Sequence, residues 1–164
     1  MALEHFLPGG PFALLPMAAT EAAPNISAIV WTERTATAER IMQLDEPRFT
    51  AELARRLGDH LGPISLLGRR WSYPLAAMLV HRYTATRLAL VGDAAHGIHP
   101  IAGQGLNLGF RDIEALANLL LAAHAAGDNL GAPALLARYQ AARRPDNMLM
   151  LAATDALDRL FSND

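Results

Sequence analysis

The sequence predicts an α/β chain, α+β in the order of its elements: part of a mixed sheet in the first half, one buried strand, then a C-terminal helical layer. Three observations predict it. Short runs rich in β-branched and aromatic residues are punctuated by Pro and Gly in the first half. Arg87-Leu88-Ala89-Leu90-Val91-Gly92 is an unbroken apolar run bounded by a charge and a glycine, the pattern of a strand buried on both faces. Beyond it, apolar residues recur at helical spacing. The pattern changes after residue 86, which divides the chain into residues 1–86, sheet with one helix, and 87–164, strand, loop and helices.

Composition bounds what such a chain does. At 52% hydrophobic and 18% charged, 164 residues bury one substantial core and are expected to fold as one body. A formal net charge of -2 provides no electrostatic footprint for nucleic acid. The absence of cysteine removes disulfides, thiolate metal sites and cysteine nucleophiles, and fits a reducing compartment, so the cytoplasm is the expected location. No apolar run reaches the roughly 18–20 residues that span a bilayer, and Met1-Ala2-Leu3-Glu4-His5 lacks the form of a signal peptide. The chain arrives at Phe12-Ala13-Leu14-Leu15 with no element predicted before it, an abrupt start that suggests truncation.

Pro8-Gly9-Gly10-Pro11 is a turn, and Phe12–Leu15 and 26–32 are strands of one sheet. Asp45 caps a helix whose first turn tolerates Pro47. Phe49, Leu53, Leu57 and Leu61 line one side of it, and Gly62-Pro63 should end it. Ile64–Leu67 and Trp71–Leu75 follow as extended segments, and Trp31 and Trp71 are expected to fill the sheet face. After the buried strand and a loop dense in Gly, His and Pro, a helix carries Ile113, Leu116, Ala117, Leu120, Leu121 and His124 on one stripe, with Gly127 closing it. Pro133 opens another helix through Leu135, Leu136 and Tyr139. Met150, Ala153, Leu157 and Phe161 continue it, and Pro145 should kink or break it. Arg143-Arg144 is expected to be a solvated helix end.

The chemistry lies between Val91 and Gly109. Asp93 closes a strand, where ligands of α/β folds bind, and its carboxylate can accept hydrogen bonds from a polyol. Gly103 and Gly105 let backbone approach a ligand and lead into a helix whose first amides lack intrahelical partners and favour negative charge. A reduced flavin, with a polyol chain and an anionic pyrimidine edge, satisfies both ends; packing alone also accounts for such a turn, and spacing does not separate the two. Gly103-x-Gly105-x-x-x-Gly109 is not a dinucleotide fingerprint, because its third glycine is one residue late and it follows a His-Pro loop rather than a strand. Asp93, His96 and His99 step by three, as metal ligands on a helix would, but Gly97 and Pro100 oppose a helix there, and no metal is expected. No Gly-x-Ser-x-Gly elbow supports a serine hydrolase. His5, His60, His81 and His124 are scattered and are expected at the surface or in packing.

Leu90-Val91-Gly92-Asp93-Ala94-Ala95-His96, Pro100, and Gly103-Gln104-Gly105-Leu106-Asn107 with Asp112 following resemble the second FAD motif of the flavoprotein aromatic-ring hydroxylases. Residues 6–16, Ile29-Val30-Trp31-Thr32, Tyr73-Pro74-Leu75 and Arg138-Tyr139-Gln140 with Arg143-Arg144 resemble the ubiquinone-biosynthesis branch, the UbiH-type 2-polyprenyl-6-methoxyphenol hydroxylases. The resemblance covers nearly the whole chain. It implies a monooxygenase in which NAD(P)H reduces FAD, O2 is activated and one oxygen atom passes to an electron-rich, polyprenylated phenol. By it, residues 1–86 belong to the substrate-binding sheet domain and 87–164 to the FAD-binding domain. Gly92 and Asp93 would hold the ribityl and pyrophosphate region, Pro100 would flank the ring, and Gly103, Gln104, Gly105, Leu106 and Asn107 would present backbone to the pyrimidine edge. No side chain is implied as a catalytic base.

The family also carries a Gly-x-Gly-x-x-Gly unit for the ADP half of FAD and an Asp-Gly motif, neither of which stands in this sequence. The expectation is a C-terminal portion that alone binds FAD weakly or not at all and does not turn over. It would self-associate through uncovered apolar surface, with the missing N-terminal segment as its partner and a peripheral association with the inner membrane or a biosynthetic complex. A hydroxylase of a soluble aromatic catabolite and a non-catalytic scaffold module are the alternatives.

Overall fold

The computed structural model describes residues 2–21, 23–100 and 103–161. Instead of the single body expected from composition, the chain forms two compact units, one reaching to Pro74 and one of Leu75–Phe161. Each has its own core. The division falls earlier than the boundary after residue 86, because the strands of 78–85 pair with strands that follow them.

In the first unit, β1 (Leu3–Leu7), β2 (Gly10–Pro16) and β3 (Ser27–Trp31) form an antiparallel sheet in that order. β1 is a strand where sequence patterning predicted none; its Glu4 and His5 interrupt the apolar signal, and pairing with β2 in the register Leu3↔Leu14 supplies what local pattern does not. The turn between them needs Gly10, whose φ of +131° disfavours any side chain and whose Cβ would stand 2.6 Å from Thr32 Cγ2. α1 (Thr35–Met42) has no counterpart in the sequence reading and contributes no fully buried residue.

α2 (Glu46–Leu57) is the helix read from Asp45, whose carboxylate accepts the Arg48 amide hydrogen at 2.9 Å, with Pro47 in the first turn. It stops at Gly58, with φ +74°, rather than at Gly62-Pro63, and Leu61 is exposed. Phe49 and Leu53 of α2 meet Phe12 of β2 in the core. Trp31 packs edge-on against Phe12, with ring centroids 5.9 Å apart, while Arg56 lies over the Trp31 ring, 4.1 Å from its centre, and pairs with Glu33 at 3.0 Å. Ile64–Leu67 and Trp71–Leu75 form no regular strands, and Trp71 is exposed rather than filling the sheet face.

In the second unit, β4 (Met78–Leu79) pairs with β7 (His96–Gly97), and β5 (Thr84–Ala85) with β6 (Leu88–Ala89). The run Arg87–Gly92 yields only the two-residue β6, and Leu88 is exposed. A strand is buried on both faces only where layers cover both sides of its sheet, and among the described residues β6 lies in a two-stranded sheet with Leu88 exposed. α3 (Gln104–Ala125) runs 22 residues, and Gly127, at φ +73°, closes it as read from sequence. Its buried side is Leu108, Asp112 and Ala123. Leu106, Phe110, Ile113 and Leu121 form an exposed apolar stripe, so Ile113, Leu121 and His124 lie outside the core face assigned to them. A helix apolar on two sides does not reveal from periodicity which side its own chain covers.

α4 (Pro133–Phe161) continues unbroken through Pro145 for 29 residues. Arg143 and Asn147 flank the proline and are both tied to Asp112, so the turns on either side of the missing N–H are held from outside the helix.

Candidate functional site

The motif read from sequence lies in the second unit. After extended Val91, residues Gly92–Ala94 form a single 3-10 turn. Gly92 adopts φ +57°, and its Cα comes so near Gly109 of α3 that a Cβ built on Gly109 would stand 3.6 Å from it. The positive φ of Gly92 favours glycine, and the two backbones pass in van der Waals contact, at a distance where a Cβ on Gly109 would still make only an ordinary contact.

The contact is locked by Asp112, which follows Gly109 on the same side of α3. Its Oδ2 accepts the Gly92 amide at 3.0 Å and His96 Nε2 at 2.6 Å. Its Oδ1 accepts Arg143 Nε at 2.8 Å and Asn147 Nδ2 at 3.2 Å. Since a carboxylate only accepts, His96 carries its proton on Nε2. Arg143 also donates to Asp146 at 2.8 Å and to Asn147 Oδ1 at 3.0 Å, and Asn147 donates to the Tyr83 hydroxyl at 3.2 Å. The Tyr83 amide donates to Gln140 Oε1 at 2.8 Å, and the Tyr139 hydroxyl donates to the Leu90 carbonyl at 2.7 Å. Asp112, Asn147, Tyr83 and Tyr139 are completely buried, and His96 and Arg143 nearly so.

Burial raises the Asp112 pKa, but the hydrogen bonds from Arg143, His96, Gly92 and Asn147 outweigh it and hold the carboxyl below its ordinary value. Arg143 is held above its own by Asp112 and Asp146 despite its desolvation. Burial pushes both tyrosine hydroxyls up, so they act as neutral hydrogen-bonding groups. The cluster is a charge-assisted joint between the turn, α3 and α4. Arg143 is therefore a buried centre of the unit, not the solvated helix end read from sequence. The signal that could have found it was phase: Arg143 and Asn147 share the stripe of Leu136 and Tyr139, so polar residues occupy core positions of α4.

The predicted site residues surround this joint. Asp93 is exposed on the turn. Pro100 accepts the Gly103 amide at 3.0 Å, and Asn107 Nδ2 donates to Gln104 Oε1 at 3.2 Å. Gly103 stands at the start of α3 with φ +61°, and no side chain caps the helix. A Cβ at Gly103 or at Gly105 would meet nothing within 4 Å, and Leu106 and Asn107 are exposed. Ile101 and Ala102 lie outside the described residues. A helix start with no side-chain cap and nothing within 4 Å of a Cβ at Gly103 or Gly105, together with the exposed Asp93 carboxylate, is chemically compatible with a ligand having an anionic edge and hydroxyls, as a flavin has. His96 Nε2 is taken by Asp112, and among the described residues no group of three or more His, Cys, Asp or Glu side chains is placed to hold a metal.

The model of a family described as "FAD binding domain" matches residues 4–154, and the chain belongs to that family. Its curated relatives include proteins named as hydroxylases and monooxygenases of ubiquinone biosynthesis. It is 58% identical to the ubiquinone hydroxylase UbiL of Rhodospirillum rubrum over 99% of its own length and 37% of that protein. It is 36% identical to the 3-demethoxyubiquinol 3-hydroxylase of Escherichia coli over 98% of this chain and 40% of the relative. The human ubiquinone biosynthesis monooxygenase COQ6, mitochondrial, is 33% identical over 99% of this chain and 41% of its own length. The fold matches PqsL, a probable FAD-dependent monooxygenase from Pseudomonas aeruginosa, with a TM-score of 0.76 and 27% identity over 98% of this chain and 43% of that one; PqsL is also solved in complex with 2-aminobenzoylacetate. The chain thus spans about two-fifths of the length of the curated relatives it matches.

Proposed function

We propose that this chain supplies the ring-side part of the FAD site of a longer monooxygenase that hydroxylates a polyprenylated phenol in ubiquinone biosynthesis, with NAD(P)H and O2 as co-substrates. The observation that carries the reading is the joint of Gly92 with Gly109, which sets the Asp93 turn beside a helix whose start is bare and uncapped. Asp93 and the Gly92 backbone would receive the ribityl hydroxyls, Gly103, Gln104, Gly105, Leu106 and Asn107 would offer backbone to the pyrimidine edge, and Pro100 would flank the ring. When bound, the flavin supplies the electron transfer and oxygen activation. The chain's own residues bind and orient it; the amides opening α3 favour negative charge at the edge they meet.

The ADP half of the cofactor would be held by sequence outside this chain. The exposed stripe Leu106, Phe110, Ile113 and Leu121 is a surface for that sequence to cover, and left bare it favours self-association. A polyprenyl substrate would be met peripherally at the inner membrane; among the described residues no helix is long and apolar enough to cross a membrane. A soluble aromatic substrate is the second reading, favoured by the PqsL complex with 2-aminobenzoylacetate.

The test is NAD(P)H-dependent oxygen uptake by the intact flavoprotein with product analysis. A polyprenylated phenol should be hydroxylated and its unprenylated counterpart should not. Preference for the unprenylated ring would favour the second reading, and a protein that takes up no flavin would overturn both.

A further inference from the structure

We infer that His96, Asp112 and Arg143 are positioning residues for the flavin: by fixing where the Gly92–Ala94 turn stands on α3, they set cofactor affinity without belonging to the surface that touches it. This rests on the proposed function and deepens it.

Four observations carry the inference. First, one oxygen of Asp112, Oδ2, holds the residue that opens the turn, Gly92, and the residue two past its end, His96. Asp93 lies between these two anchors. Second, the other oxygen is held from α4 by Arg143 and Asn147, so the carboxylate cannot rotate, and the direction of Oδ2 is set by a helix that contributes no residue to the proposed flavin surface. Third, the Gly92–Gly109 approach leaves no side chain between turn and helix, so a shift of either backbone is transmitted without cushioning. Fourth, a buried ion pair is seldom more stabilising than apolar groups of the same shape, whereas a fully satisfied one defines a unique geometry. Ligand affinity is steep in such geometry, because a first shell displaced by about an ångström no longer meets its partner.

The test uses the intact flavoprotein that carries this chain, stripped of cofactor and titrated with FAD by quenching of flavin fluorescence, beside urea midpoints at the same temperature. His96→Leu removes the donor to Oδ2. His96→Gln restores it, because the glutamine Nε2 reaches the same oxygen. Arg143→Lys keeps the charge but cannot hold Asp112, Asp146 and Asn147 together.

His96→Leu and Arg143→Lys are expected to weaken FAD at least about tenfold, the scale on which supporting-shell residues act, with His96→Gln returning to within about threefold of wild type. If His96→Leu does not fold, Arg143→Lys against His96→Gln makes the same comparison. Wild-type affinity in the variants, or losses in all three that merely track the urea midpoints, would overturn the inference while leaving the proposed function standing. An intact wild-type protein that takes up no flavin would instead remove the proposed function, and the inference with it.

Discussion

The unit ending at Pro74 is closed by hydrocarbon alone, whereas the unit Leu75–Phe161 adds a buried charged joint at Asp112 to its apolar clusters around Tyr83 and Tyr139 and around Leu135 and Leu136. In the first, Phe12, Phe49 and Leu53 close the core, and the ion pairs of Arg56 sit partly exposed at its edge. Apolar burial is non-directional, so that core specifies that sheet and helix meet more strongly than how they meet. In the second, Asp112 accepts four hydrogen bonds from three elements, each with a direction and a length. The proposed cofactor residues stand in the unit whose geometry is fixed by direction.

Removing the charge at the centre should have the larger effect. Asp112→Ala strands the Arg143 cation, the His96 and Asn147 donors and the Gly92 amide in a buried site, and should cost about 4 kcal/mol, measured as lost hydrogen-exchange protection in α3. A loss below about 1 kcal/mol would mean that the cluster is not the unit's centre. The same carboxylate imposes an acid limb. Its folded pKa is depressed, so its contribution is complete above the ordinary carboxylate value of about 4 and disappears as pH falls through the lower folded value. Asp112→Asn should remove that part of the acid dependence.

Leu53→Ala, the apolar counterpart, should cost about 3 kcal/mol through lost burial and a cavity, read from exchange in α2, with no acid dependence of its own. An acid-dependent loss there would erase the contrast between the two units.

What the sequence revealed follows the same division. The sheet strands Phe12–Leu15 and 26–32 and the Asp45 cap were legible because alternation and capping are local signals. β1 was not, since its strand character comes from pairing, and neither were the bounds of α2, set by Gly58 rather than Gly62. In the second unit the glycines, Pro100 and Asp93 could be singled out by residue type. The joint could not, because it ties residues 92, 96, 112, 143 and 147 across four elements, and Arg143 looks like a solvated charge until its phase on α4 is followed. The buried side of α3 was read only in part: Leu116 and Leu120 pack against the core, whereas Ile113 and Leu121 are exposed, because two apolar stripes compete and only tertiary contact chooses Leu108 and Ala123 over them.

The claim on which the rest depends is that the open start of α3 is where FAD lies. Gly105→Val tests it most directly, because a Cβ at that position meets nothing within 4 Å and the backbone there has no positive φ, so the fold is expected to tolerate a side chain. In the intact flavoprotein, FAD binding should fall at least about tenfold at an unchanged urea midpoint, the added methyls standing where backbone must meet the ring. Undiminished FAD affinity in that variant would contradict the account.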